Sequence, residues 1–577
     1  MPIDVLWKEG SAPKEGRYPG LRSGVVEQEG QMLIERDVPV LMRDGVRVYV
    51  DIFRPVGGRD LPVILTWSPY GKHAFKTFAA FPNSGVPEGS VSRHAAWEGP
   101  DPAYWTTQGY AVINGDCRGS WGSEGDLVIL GRQEAEDGYD VIEWAAQLPW
   151  CNGRVGLAGV SYLAIVQWSI AALNPPHLAC INPWEGFSDQ YREYGYHGGI
   201  PETNFIKFME WSCQFSRGRV EDWVQMHKLH PMLDEYNASK SCSDLSQIVV
   251  PAYIVASWGD QGLHTRGTIE AFAAISSSQK WLEVHGRKKW QYYYQPSSVA
   301  RQKAFYDHLL KGVENEVESW PRVLLEVRER AYHGEMRAEE EWPIARTEYV
   351  ELFLDAPSRT LVEDIAAEDV ALKYDATLQD DRLEFTYRFK DPAELTGGMN
   401  LRLWVGVESG SDMDIFVAIH KLDCDGGFVP LVAMAMVEDG PVALGWLRVS
   451  HRKTDPKRST PWRPWHTHES RLLLNPGQVV PVDIEIWPSS TKFDKGEQLK
   501  LIIQGNDIFR YDLPQAQLHQ DSVNTGRHVI HMGGRYDSNL LIPTVPPSSG
   551  AQAKPGAIEQ GEEKRRARQE KMSPAQG

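Results

Sequence analysis

The stretch GLAGVSYLA, Gly156 to Ala164, sets a serine between a short apolar run and a second run with helical character. Strand, tight turn and helix form the context in which a G-x-S triplet carries chemistry. Gly159 permits a strained turn, and such a turn would hold the Ser161 hydroxyl out over the edge of a sheet. The backbone N–H of Tyr162 would then open the helix and face a developing oxyanion. A serine nucleophile needs a base, and the base needs an orienting carboxylate. On sheets of this kind the chain order is serine, acid, histidine, each after a strand. Asp260 follows the apolar run VPAYIVASW, and His285 ends the next run, KWLEVH. His264, in DQGLHTRG, is the rival base. It lies too near Asp260 in sequence to sit on the neighbouring strand, so the expected triad is Ser161, Asp260 and His285.

The elements that must position these residues alternate between strand and helix. Asp37 to Pro55 has two period-2 runs around an Asp44-Gly45 turn, a hairpin signal. Leu61–Trp67, Tyr110–Asp116, Val155–Val160, Leu178–Trp184, Val250–Trp258 and Lys280–Gly286 are apolar runs of strand length. Continuous apolar strands are those buried on both faces. Between Asp140 and Trp150, Val141, Trp144, Ala145 and Leu148 recur at helical spacing. The pattern predicts an α/β fold, a mostly parallel sheet covered on both faces.

Residues 185–247 are polar, aromatic-rich and helical in pattern, and predict a helical cap over the carboxyl edge of the sheet. A second insertion, Lys72 to Pro100, is rich in Gly, Pro and Ser. From about Tyr349 the pattern changes to period-2 alternation with turn residues between runs, as in YVELFLD, NLRLWVGVE and VVPVDIEIW. That predicts an antiparallel β-sandwich. The expected units are therefore 1–184 with 248–345, the cap 185–247, an all-β domain 346–547, and a disordered tail 548–577 with little to bury.

Length and composition narrow the function classes. The 577 residues exceed what one core normally serves. A formal charge of −18 argues against polyanionic partners, nucleic acid and anionic membranes alike. The opening MPIDVLWKEG has neither the basic nor the apolar region of a secretory leader, and no stretch has the roughly 20 apolar residues of a membrane span. The six cysteines are scattered, without metal-ligand spacing, and fit reduced thiols in a cytoplasmic protein. No metal and no cofactor is called for. Asp412 and Asp414, in SDMD, read as a sheet-edge turn rather than a calcium site.

Three stretches of the first half resemble the cocaine-esterase and X-Pro dipeptidyl-peptidase (CocE/NonD-like) serine hydrolases: SPYGK at Ser68–Lys72, DCRGSWGSEGD at Asp116–Asp126 and GVSYLA at Gly159–Ala164. In the second half, GWLRVSHR at Gly445–Arg452 and LNPGQVVPVDIEIWPSS at Leu474–Ser490 resemble the C-terminal jelly roll of the same family. The resemblance runs from about Arg36 to Asn539. It implies an α/β-hydrolase core with a cap and a jelly roll, Ser161 as nucleophile, Asp260 as acid, and the Tyr70 hydroxyl as an oxyanion donor beside the Tyr162 N–H. Asp116, Arg118 and Gly119 become a structural turn supporting the elbow.

Two positions depart from the family pattern. Ala164 stands where many relatives have glycine. Relatives usually place the base in G-P-W-x-H after the last core strand, whereas this chain reads VHGRKKW, with His285 earlier and Lys288 or Lys289 nearer that slot. Either His285 reaches Ser161 through a reshaped loop, or His264 substitutes, or base catalysis is impaired. Trp121, Trp184, Phe187 and Trp258 are candidate walls of an acyl pocket. The expected function is hydrolysis of a small-molecule ester or amide, with release of X-Pro dipeptides as one alternative. A biosynthetic acyltransferase or cyclase and a non-catalytic binding protein are the others; oligomeric state, homo-oligomer included, stays open.

Overall fold

The computed structural model describes residues 4–12, 20–73, 81–509 and 518–547. The predicted tail, 548–577, and part of the Lys72–Pro100 insertion, 74–80, lie outside the described residues. The part of the sheet that carries the site consists of β1 (Met32–Leu41), β2 (Arg47–Pro55), β3 (Leu61–Ser68), β4 (Ala111–Asp116), β5 (Cys151–Val160), β6 (Leu178–Trp184), β7 (Ala252–Ser257), β8 (Lys280–His285) and β9 (Val323–Arg330). Their spatial order is β1-β2-β4-β3-β5-β6-β7-β8-β9. β1, β2 and β4 pair antiparallel, and the ladder is parallel from β4 to β9.

The apolar strands are buried on both faces, as continuous apolar sequence requires. Adjacent residues such as Ile64 and Leu65, or Ile254 and Val255, enter different hydrophobic layers. One layer lies under the helices Arg132–Ala146, Tyr162–Ala172 and Thr265–Ala274, the other under Pro102–Thr107 and Pro296–Lys311. The helix expected near Asp140 begins earlier, at Arg132, and ends at Ala146.

Between β6 and β7 the chain forms a short π-helical turn (Tyr191–Gly195), a two-residue antiparallel pair and the helices Phe205–Ser212, Trp223–Leu229 and Glu235–Ser239. From Glu348 onward it is strand-rich and mostly antiparallel, with long strands at Ala393–Val407 and Val480–Phe493. This second half encloses its own core, including Leu401, Leu403, Val417, Ile484, Leu501 and Ile530. The two halves meet where Arg328 of β9 pairs with Thr491. Among the described residues no helix is long and apolar enough to cross a membrane.

Candidate active site

Ser161 sits directly after β5 with φ 58° and ψ −118°, a left-handed conformation that a residue with a side chain avoids unless its surroundings impose it. Gly159 makes the turn possible. Its φ is +132°, and a Cβ there would lie 2.4 Å from Cβ of Leu163. The Ser161 N–H donates to the carbonyl of Trp184 at the end of β6, so the neighbouring strand pins the elbow. Ala164 packs over Gly186, where a Cβ would approach the Ala164 methyl to 2.7 Å. The glycine beneath thus makes room for the alanine that departs from the family pattern.

Ser161 Oγ lies 3.3 Å from Nε2 of His264, and His264 Nδ1 lies 2.5 Å from Oδ2 of Asp260. A contact that short to a carboxylate must contain a proton. His264 therefore carries its hydrogen on Nδ1 and turns the lone pair of Nε2 to the serine. Both residues belong to one turn of chain after β7, in which Asp260 C=O accepts from the N–H groups of His264 and Thr265. Asp260 and His264 are 2% and 1% exposed. Phe187 lies parallel to the imidazole, with centroids 6.3 Å apart.

His285 is not at the serine, which corrects the sequence-based choice of base. It is the last residue of β8, fully buried, with Nε2 3.2 Å from Oε1 of Glu185 and its ring stacked on Tyr292 at 3.9 Å. The backbone N–H of Arg287 donates to its Nδ1, so both ring nitrogens are engaged away from Ser161. Burial pushes its pKa down to about 4. The same slot brings in a residue that sequence reasoning left unassigned. Lys289 Nζ is 2.7 Å from Asp260 Oδ2 and 3.0 Å from His264 Nδ1, with the lysine 3% exposed.

The electrostatics follow from this packing. Burial would raise Asp260, but the Lys289 ammonium and His264 outweigh it and hold its carboxyl well below the usual range. Burial and then the Lys289 charge lower His264 to about 4, against the opposing pull of Asp260. Burial raises Tyr70 well above its ordinary value, so its hydroxyl stays a proton donor.

Tyr70 follows β3, its hydroxyl donates to Sδ of Met209 at 3.8 Å, and its ring meets Tyr162 edge-on at 5.6 Å. The turn that carries it is anchored by Asp116, which accepts from the backbone N–H of Lys72 at 2.6 Å and from its ammonium at 3.0 Å. The Tyr162 N–H is at the first helical position, where no preceding turn supplies an acceptor.

Ser161 opens onto a cavity of about 890 Å³ of atom-free space. Its walls come from three regions: Phe81, Trp97 and Trp290; Phe205, Phe208 and Met209 of a helix in the 185–247 segment; and Met434, Met436 and Leu518 from the second half. None of the four expected wall residues lines it. Trp121 lies against Phe215 and beneath Gly71, Trp184 against Tyr293, and Trp258 against Trp342 with its indole N–H on Glu326 C=O. The fourth, Phe187, backs His264. Nothing local in the sequence announces the wall from Met434 to Met436, which arrives from some 170 residues beyond the acid and base.

A serine at a strained strand-to-helix turn over a parallel sheet, with histidine and aspartate after a later strand, defines an α/β-hydrolase. Residues 44–217 match the X-Pro dipeptidyl-peptidase (S15 family) model, and residues 315–541 match the X-Pro dipeptidyl-peptidase C-terminal non-catalytic domain. A crystal structure of a CocE/NonD family hydrolase from Staphylococcus aureus shares 40% identity, covering 91% of this chain and 97% of that one with a TM-score of 0.87. Cocaine esterase from a Rhodococcus species is 24% identical over 90% of this chain and 99% of its own length. A structure of an α-amino acid ester hydrolase, 18% identical with a TM-score of 0.67, shares the fold. The chain belongs to the CocE/NonD family and is a serine hydrolase acting on ester or amide bonds.

Proposed function

We propose that the chain cleaves esters of uncharged, apolar acids through an acyl-enzyme on Ser161. Ser161 Oγ attacks the carbonyl carbon while Nε2 of His264 takes its proton. Asp260 holds the imidazole, and the Tyr70 hydroxyl and Tyr162 N–H receive the oxyanion. The imidazolium returns the proton to the leaving alcohol as the C–O bond breaks. Water then repeats the sequence on the acyl-enzyme and frees the acid. The observation that carries this reading is the unbroken chain Ser161–His264–Asp260 at the wall of an apolar cavity. It also speaks against a non-catalytic relative with a degraded base.

The free amine of an X-Pro dipeptide needs an anionic partner, and the cavity wall holds two carboxylates, Glu98 and Glu202, so release of X-Pro dipeptides is the second reading. Glu98 accepts from the Trp290 indole at 2.8 Å, and Glu202 accepts from three backbone N–H groups of 204–206. The test is a panel of p-nitrophenyl esters, amino-acid esters and X-Pro amides against wild type and Ser161→Ala. Apolar acyl esters should be turned over best and lose activity in the variant. Faster cleavage of X-Pro amides would overturn the substrate assignment, and full esterase activity in Ser161→Ala would overturn the nucleophile.

For the architecture, we read 346–547 as a jelly roll and 185–247 as a cap on a core formed by 1–184 and 248–345. The separate hydrophobic core of the second half and the C-terminal domain match support the division. A small-molecule substrate in a cytoplasmic setting fits six cysteines that are all free thiols.

A further inference from the structure

Lys289 places a positive charge on the acid of the triad, an arrangement the hydrolysis mechanism does not need. In the usual triad the carboxylate is unopposed, and its charge stabilises the imidazolium that forms during attack. Here Oδ2 of Asp260 receives both the His264 Nδ1–H and the Lys289 ammonium, at 2.5 and 2.7 Å. The 3.0 Å between Nζ and Nδ1 is the separation of two donors on one acceptor. We propose that Lys289 is a positioning residue: it locks the Asp260 carboxylate in place and opposes protonation of His264. The proposal rests on His264 being the base.

Lys289 stands in the cavity wall with its ammonium bound to Asp260. Its helix, Lys289–Tyr294, starts where the Lys289 N–H donates to Ala435 C=O at 3.0 Å, and this anchors its first residue to the second half of the chain. The titratable groups around the pair are few. Asp260 and Lys289 face His264 directly, and Ser161 faces its other nitrogen. Glu185, after β6, and Glu98, from the segment before the helix Pro102–Thr107, act on Lys289 through charge. Glu185 is held by His285 and raised well above its ordinary value, by burial first, with the negative charge of Asp260 also opposing its ionisation. The Lys289 ammonium already balances Asp260, so protonating His264 puts a second positive charge beside it in a buried site. An opposite or like charge at this distance moves a pKa by about 1–3 units.

The test is the pH dependence of kcat/KM on a p-nitrophenyl ester for wild type, Lys289→Met, Lys289→Gln and Lys289→Arg, with His264→Ala as control. Lys289→Gln keeps a donor to Asp260 without the charge, and Lys289→Arg keeps the charge. The acid limb should move upward by about 1–2 pH units in the Met and Gln variants and return toward wild type with Arg. If Lys289→Met does not fold, the Gln and Arg pair decides. Acid limbs in Gln and Met that coincide with wild type would overturn the proposal while His264→Ala is inactive. An active His264→Ala would instead overturn the assignment of the base itself.

Discussion

Asp260 and His264 are four residues apart in sequence, and their side chains meet at 2.5 Å, on the turn that opens the helix Thr265–Ala274. The proposed acid and base therefore come from one local stretch of backbone, not from two loops after two strands. His264→Ala should lower kcat by about 10⁴–10⁶, as removal of a triad base does. His285→Gln should leave kcat within about tenfold. Its cost should appear in stability, about 1–3 kcal/mol for a disturbed buried hydrogen bond. Steady-state kinetics and urea unfolding on both variants separate these outcomes. A His285 variant that is as inactive as His264→Ala yet equally stable would return the base to His285.

Tyr70→Phe removes one hydroxyl and keeps the ring that packs on Tyr162. If the hydroxyl holds the oxyanion, kcat should fall by about 10²–10³ with little change in KM. Unchanged kcat would assign Tyr70 to packing.

The pH profile of the wild type follows from the state of His264. The base works only when neutral, and burial together with Lys289 lowers its pKa to about 4. Activity should therefore hold from pH 8 down to about 5 and decline through 4, where an unperturbed histidine would already fail near 6.5. Initial rates of kcat/KM between pH 4 and 8 show the difference. A half-maximum near 6.5 would mean that His264 is not shielded in this way.

The comparison with the sequence shows where local signals end. Ser161, Tyr70 and the N–H of Tyr162 were legible because strand–turn–helix grammar fixes a serine elbow, and SPYGK carries the tyrosine. Asp260 was legible as the residue after an apolar strand. His264 was named as the rival base and set second to His285 through the assumption that acid and base need separate strands. The i,i+4 spacing just ahead of an amphipathic helix was the available signal, because one helical turn brings such side chains together. Trp184 and Trp258 misled for a different reason. In a sheet buried on both sides, a strand-end aromatic can face either layer, and these two joined different layers away from the cavity. The cavity walls from 205–209 and 434–436 are long-range contacts that no local pattern encodes.

Arg266, next to the base, joins three parts of the molecule. It is 2% exposed and binds Glu193 at 2.6 Å and Glu485 at 2.8 Å. Breaking a buried pair by removing one partner costs about 3–5 kcal/mol, because the other charge stays buried. Arg266→Met should show that loss in urea unfolding, and Glu485→Gln, at the more exposed partner, a smaller one. A cost below about 1 kcal/mol for Arg266→Met would show that the carboxylates find other partners.

Gly186 and Ala164 offer a test of how tightly the elbow is held. A methyl added at Gly186 would meet Ala164 Cβ at 2.7 Å and the Ile165 N at 3.0 Å, directly behind Ser161. Gly186→Ala should cost about 1–3 kcal/mol by overpacking and lower kcat as the helix after Ser161 shifts. Ala164→Gly in the same chain removes the nearer clash, so the double variant should regain part of both losses. A coupling energy of at least about 0.5 kcal/mol between the two is the expected result. Strict additivity would show that the elbow yields elsewhere, and that Ala164 is accommodated for a reason other than the glycine beneath it.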